Sequence, residues 1–191
     1  MSSDRKYAEI VKKSVEDEEG LEGFESELHY RLKVFIIRYL IEKLKFSKES
    51  IHTEEEIDGS GIIPDIYVED ARKKKKIAIE IETFYGTGPY LWRRLDRKIR
   101  NYIDQRYLLS SEVQELWIIV PPLQATLLLK DLVAKQSEIR EEFSERGVSN
   151  FEVKILTVDL LNMELVPIEK LGDELAKYLP KRKKKSKSVS S

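Results

Sequence analysis

Apolar and polar positions along the chain fall into stretches of two periods, and their order predicts the elements. Leu21, Phe24, Leu28, Leu32, Phe35, Ile36, Tyr39 and Leu40 recur at helical spacing, so residues 21–44 are expected to form an amphipathic helix. Residues 50–57, 62–69 and 76–83 read as three strands. Gly59 and Gly61 turn the chain between the first two, and the polar run ARKKKK joins the last two. The GTGP of residues 86–89 breaks the pattern, and a second amphipathic helix is expected over 90–109. ELWIIVPP (115–122) is a short apolar strand stopped by two prolines, as in a buried central strand. A third helix over 124–146 ends before Gly147, a plausible C-terminal stop. A last strand (151–159) and a last helix (168–179) follow.

This order, α β β β α β α β α, predicts an α/β fold with a mixed central β-sheet flanked by helices. Consecutive strands imply hairpins, and strands alternating with helices imply parallel units. Residues 1–20 are expected to be a polar N-terminal arm, 21–179 a single domain, and the low-complexity 180–191 a disordered basic tail.

Three acids sit badly in this scheme. Strand side chains alternate between faces, so in IAIEIE (77–82) the residues Ile77, Ile79 and Ile81 share one face, and Ala78, Glu80 and Glu82 the other. If 62–69 and 76–83 pair as an antiparallel hairpin with its turn near Arg72–Lys73, Asp65 falls opposite Glu80 on the same face. The alternative is a solvent-facing sheet surface on which acids are merely soluble. Crowded carboxylates raise one another's pKa values, and a cation relieves the repulsion. Oxygen-only ligands favour Mg²⁺ or Mn²⁺.

Pro64–Asp65 in one strand, followed by Glu80–Ile81–Glu82 in the next, resembles the signature of the PD-(D/E)XK nuclease superfamily. The helix, three strands, helix, strand order of residues 21–120 is similar to that superfamily's restriction-endonuclease-like core. The resemblance implies metal-dependent phosphodiester hydrolysis, with Asp65 and Glu80 as metal ligands. The target would be DNA more readily than RNA, in repair, recombination or defence, and the enzyme a homodimer able to cut two strands. The motif departs from the family where a lysine is due, because position 82 is glutamate. Glu82 would then be a third metal ligand or a general base. A catalytically inactive nucleic-acid-binding module or scaffold subunit is the other reading.

The second helix offers a substitute lysine. At about 100° per residue, Leu91, Leu95, Ile99 and Tyr102 define its buried face, and Lys98 and Arg106 fall inside that arc. Lys98 either snorkels outward along its methylenes or replaces the motif lysine. The resemblance also implies a further metal-site acid on the first helix. Glu25, inside the apolar arc, is favoured over Glu27, although an acid at a helix start also suits the macrodipole. His29, one turn on from Glu25, reads as a boundary residue.

Charge is clumped rather than excessive, with a net value of −1. RKKKK at 72–76 includes Lys73, Lys74 and Lys75. The segment 93–106 carries six basic residues against two acids and includes Arg93, Arg94 and Arg97. Both runs, and the basic tail, are candidates for phosphate contact through counterion release, or simply solvated surface. Tyr85 and Tyr90 are placed either to stack on a base or to fill space. The GTG lacks the spacing of a phosphate-binding loop.

The absence of cysteine excludes disulfides and thiolate metal sites and suits a reducing, cytoplasmic setting. With 36% charged residues it also resembles thermophile composition. No stretch approaches the roughly 20 apolar residues of a membrane span, and no membrane partner is expected.

Overall fold

A computed structural model of the chain describes residues 5–11, 26–84, 90–104 and 113–177. Glu25, Tyr85, Arg106, the basic tail and the side chains of Tyr90 and Leu91 lie outside the described residues. The elements are α1 (Arg5–Ala8), α2 (Glu27–Glu42), β1 (Ile51–Thr53), β2 (Ile66–Asp70), β3 (Lys75–Ile81) and α3 (Tyr90–Asp104). They continue with β4 (Glu115–Val120), α4 (Pro122–Leu127), α5 (Leu129–Glu145), β5 (Glu152–Asp159), β6 (Glu164–Pro167) and α6 (Ile168–Ala176). A 3-10 turn (Lys48–Ser50) precedes β1.

The strands form one mixed sheet in sequence order, β1-β2-β3-β4-β5-β6. β1–β2, β2–β3 and β5–β6 are antiparallel; β3–β4 and β4–β5 are parallel. Alternation along each strand divides the core in two. Ile77, Ile79, Ile81, Trp117 and Ile119 pack beneath α1 and α2 with Leu32, Ile36 and Leu40. Ala78, Leu116, Ile118 and Val153 pack against α3–α6 through Leu95, Ile99, Leu132 and Ile168. Covered on both faces, β3 and β4 can be the near-continuous apolar runs that the sequence contains.

The element order and the mixed sheet agree with the pattern of the sequence, and the differences have local causes. The helix expected from Leu21 is described from Glu27. Ser26 caps it by accepting a hydrogen bond from the His29 amide at 3.2 Å. The first strand stops at Thr53 because Glu54 turns into the left-handed region at φ 49°. The second starts at Ile66, not 62, after a turn in which the Ile57 amide donates to the Ile62 carbonyl. Pro121 and Pro122 end β4 and open α4, where proline's missing N–H is harmless.

The third helix is divided at Leu128. β6 was not anticipated. Asp159 organises the turn before it, its carboxylate accepting from the Leu161 and Asn162 amides at 2.9 and 3.1 Å.

Candidate functional site

The β2–β3 register pairs Ile66 with Ile79 and Tyr67 with Ala78. Continued by one residue, it sets Asp65 opposite Glu80, as the alternation predicts. Asp65 stands just before β2, Glu80 near the end of β3, and Glu82 just past it. The acids therefore gather where the parallel strands β3 and β4 end, the end at which open α/β sheets bind ligands.

Glu82 is held in place by its own backbone, whose amide donates to the Ile119 carbonyl at 2.8 Å. Its side chain, like that of Glu80, is buried on the α3 side of the sheet. Lys98 does turn inward from α3. Its Nζ lies 2.8 Å from Glu80 Oε2 and 2.7 Å from Glu82 Oε1, while the side chain remains 31% exposed. Tyr102, one turn further along α3 and buried, donates its hydroxyl to Glu80 Oε1 at 2.7 Å. Arg94, one turn earlier, reaches Glu82 Oε2 at 2.8 Å.

Lys98 and Tyr102 are i and i+4 on one helix face, which is why a single helix can present both to one carboxylate. Asp65 is gripped from other directions. Its Oδ2 accepts from the Ile81 amide at 2.6 Å, and its Oδ1 lies 3.2 Å from His29 Nε2 and 3.9 Å from Lys33 Nζ, both on α2. Lys33 is 0% exposed and also ion-paired to Glu54.

These surroundings push the acids apart electrostatically. Burial opposes ionisation of Asp65, but the His29 contact, the Lys98 charge and the Ile81 amide outweigh it, leaving its carboxyl below the ordinary value. Burial lifts Glu80 to about 7; Lys98 and Tyr102 pull it down, and the neighbouring Asp65 charge adds to the rise. Burial disfavours the Lys98 ammonium, yet Glu80, Glu82 and Asp65 together raise its pKa, so it stays charged. Burial and the Glu80 charge hold Tyr102 well above its ordinary value, as a neutral donor.

The donor set consists of hard oxygens. Mg²⁺ keeps several waters and is usually bound through one or two carboxylates, which Asp65 and Glu80 supply. Among the described residues no group of three or more His, Asp or Glu side chains is disposed to hold a metal ion. Glu82, expected as a third ligand or a base, has both oxygens engaged by Lys98 and Arg94. The oxygens of Glu80 are engaged as well, by Tyr102 and Lys98, and those of Asp65 by the Ile81 amide and His29.

Other expected site residues are placed differently. Glu27 is 73% exposed and pairs with Arg31 at 2.7 Å, facing away from the acids. The run at 72–76 spans the β2–β3 turn and the first two residues of β3, at the opposite end of the hairpin from Asp65 and Glu80. At about 3.3 Å per residue this is roughly 20 Å away. There Lys73 lies over the Phe46 ring at 4.2 Å, Lys75 is ion-paired to Glu115, and Lys76 to Glu69 at 2.9 Å. Lys74, at φ 51°, is exposed at the turn. On α3, Arg93, Arg94, Arg97 and Arg100 are all exposed, and Arg94 also reaches Glu82.

Sequence reasoning missed Lys33, Glu54 and the bond of Tyr102 to Glu80, and it read His29 as a boundary residue. Lys33 carried a usable signal, a lysine inside the apolar stripe of Leu32, Ile36 and Ile37. Glu54 carried none, because its position depends on a turn that the sequence does not mark.

Comparison of the chain with protein-family models, with curated proteins and with solved structures gives no match. Within the described residues no helix is long and apolar enough to cross a membrane. The class established is a mixed α/β fold with a buried acidic cluster at the ends of its parallel strands.

Proposed function

We propose that this chain is a divalent-metal-dependent nuclease of the PD-(D/E)XK type that hydrolyses phosphodiester bonds in DNA. The observation that carries this reading is the position of Lys98, whose Nζ bridges Glu80 and Glu82 at 2.8 and 2.7 Å. An amine from α3 thus stands among the acids of a motif that lacks its own lysine. The hairpin β1-β2-β3, the crossover through α3 and the parallel strand β4 support the restriction-endonuclease-like core.

Asp65 and Glu80 would hold Mg²⁺ or Mn²⁺, which when bound supplies an activated water and charge to offset that developing on the phosphate. The Ile81 amide and His29 keep Asp65 oriented and ionised. Tyr102 fixes one oxygen of Glu80 and leaves Lys98 to balance the other. Lys98 Nζ, with one hydrogen left beyond the two used on the glutamates, would orient the attacking water or a phosphate oxygen. Arg94 anchors Glu82, which acts through Lys98 rather than as a ligand. Arg93 and Arg97 on the exposed side of α3 supply phosphate contacts. Repair, recombination or defence in the cytoplasm, as a homodimer, is the setting that fits such an activity.

The test is incubation of the protein with labelled linear, circular, branched and single-stranded DNA in Mg²⁺, Mn²⁺ or EDTA. Cleavage should require the metal. The second reading, a binding module without catalysis, is favoured by one feature. Each oxygen of Glu80 and Glu82 already has a donor, from Lys98, Tyr102 or Arg94. It predicts salt-sensitive DNA binding with no metal-dependent cutting.

A further inference from the structure

Apolar exposure in this molecule is as uneven as its charge. α4 follows β4 directly and buries Ala125, yet Leu123 and Leu127, one turn apart on its outer face, are 67% and 74% exposed. They form an apolar ridge where a surface helix ordinarily carries polar residues. The ridge stands at the end of the parallel strands. Gln124 Nε2 donates to the Thr83 carbonyl at 3.3 Å, and the ring of the next residue, Phe84, lies 5.7 Å from that of Trp92 in the first turn of α3. α4 leads into α5, whose Lys135 pairs with Asp96 of α3 at 3.0 Å. The ridge is therefore a neighbour of α3, which exposes Arg93, Arg97 and Arg100 at i, i+4 and i+7. At about 100° per residue these arginines lie within roughly 100° of Asp96, the side turned to α5.

An exposed apolar ridge bordered by arginines fits a polyanion that also offers apolar faces, which is nucleic acid with bases unpaired. Resting on the DNA-binding part of the reading above, we infer that Leu123 and Leu127 form a wedge against the last paired base of forked DNA and so select substrate with an unpaired strand. The arginines hold phosphates, and the leucines cover a base face that intact duplex keeps stacked. A second copy of the chain is the poorer occupant. Two leucines fall far short of the roughly 800 Å² per partner of a standard protein interface, and a two-fold contact would bring like-charged rows together. Leu160 and Leu161 are also exposed, but their turn is tied to α2, where Lys43 reaches the Asn162 carbonyl at 3.4 Å and Glu164 at 2.9 Å. They stand apart from the α3 arginines and serve as the control.

The test is fluorescence anisotropy in EDTA, where nothing is cut, with forked and blunt duplex DNA of one sequence and 2-aminopurine at the fork base. Wild type should bind the fork about fivefold or more tighter than the duplex, and brighten the 2-aminopurine by unstacking it. Leu123→Ser/Leu127→Ser should bring fork affinity down to the duplex value and abolish the brightening. Its melting temperature should be unchanged, because both side chains are exposed. Leu160→Ser/Leu161→Ser should behave as wild type. Equal losses in both pairs, or a fork preference that survives in Leu123→Ser/Leu127→Ser, overturn the inference and leave DNA binding standing. So does a dimer in sedimentation that this variant alone disrupts, which would assign the ridge to a second copy. Absence of binding to either DNA at low salt overturns both the inference and the reading beneath it. Leu127→Gln alone carries the same comparison if the double variant unfolds.

Discussion

Charged side chains are buried at both ends of this sheet, and the two ends are built on opposite terms. Where the parallel strands begin, the buried acid Glu115 receives Lys154 at 2.6 Å, Lys75, and the Trp117 indole N–H at 2.9 Å. Burial opposes its ionisation, but Lys154, Lys75 and Trp117 prevail, and its carboxyl falls to about 2. Where the strands end, four acids (Asp65, Glu80, Glu82 and Glu54) meet three permanent cations, Lys33, Lys98 and Arg94. One of those acids, Glu80, is driven up to about 7. The first cluster is satisfied by the protein alone. In the second, among the described residues, the acids outnumber the permanent cations, and the proposed cation site lies at that end.

Removing the shared cation should separate the two ends most sharply. Lys98→Met is expected to lower metal-dependent cleavage by about 10²–10³-fold, the scale of a lost electrostatic contact to the reacting groups. It leaves Glu80 and Glu82 without their common partner. With Lys98 31% exposed, the stability loss should be about 2–3 kcal/mol, below that of a fully buried pair. Cleavage and denaturant unfolding measured on one preparation check both.

Glu115→Gln should cost about 2 kcal/mol, a discounted conversion of its lowered pKa, with cleavage unchanged. Because the folded pKa of Glu115 (about 2) lies below its ordinary 4.5, its contribution is present above pH 4.5 and lost as pH falls toward 2. The stability difference between wild type and Glu115→Gln should therefore close over that window.

Glu80 has the opposite sign. Its folded value, about 7, lies above the ordinary 4.5, so in EDTA its contribution to stability should be full below pH 4.5 and lost as pH rises through 7. Glu80→Gln should flatten that decline; an unchanged slope would place the strain elsewhere.

The smallest contrast concerns DNA affinity. Arg97→Ala should reduce the salt slope of binding by about 0.9, one phosphate contact. Lys74→Ala, roughly 20 Å away at the far turn, should not move it. Equal effects would show that the substrate wraps the whole hairpin.

The strand-end half of this contrast was legible in the sequence, and the Glu115 cluster was not. Alternation in IAIEIE and a turn near Arg72–Lys73 were enough to bring Asp65 opposite Glu80, because strand periodicity and hairpin register are local rules. The helical arc likewise placed Lys98 on the buried side, with snorkelling outward as the alternative that the structure excludes. The same hairpin geometry also places the 72–76 lysines at the far end, a consequence that a count of positive charges does not reveal.

What was not legible depends on distant segments meeting. His29 and Lys33 reach Asp65 only because α2 packs across the sheet end, and Glu54 only through a left-handed turn with no glycine to announce it. β6 is four half-buried residues with no pattern to read. Arg94 reaches Glu82 while itself 52% exposed, a choice of partner that the helical arc does not specify.

The most direct measurement is cleavage of labelled DNA in Mg²⁺ by wild type, Asp65→Ala and Glu115→Gln side by side, with EDTA controls. Wild type and Glu115→Gln should cut equally and only with the metal, while Asp65→Ala binds DNA but does not cut. Undiminished cutting by Asp65→Ala, or no metal-dependent cutting by wild type, would contradict the assignment of hydrolysis to the acids at the strand ends.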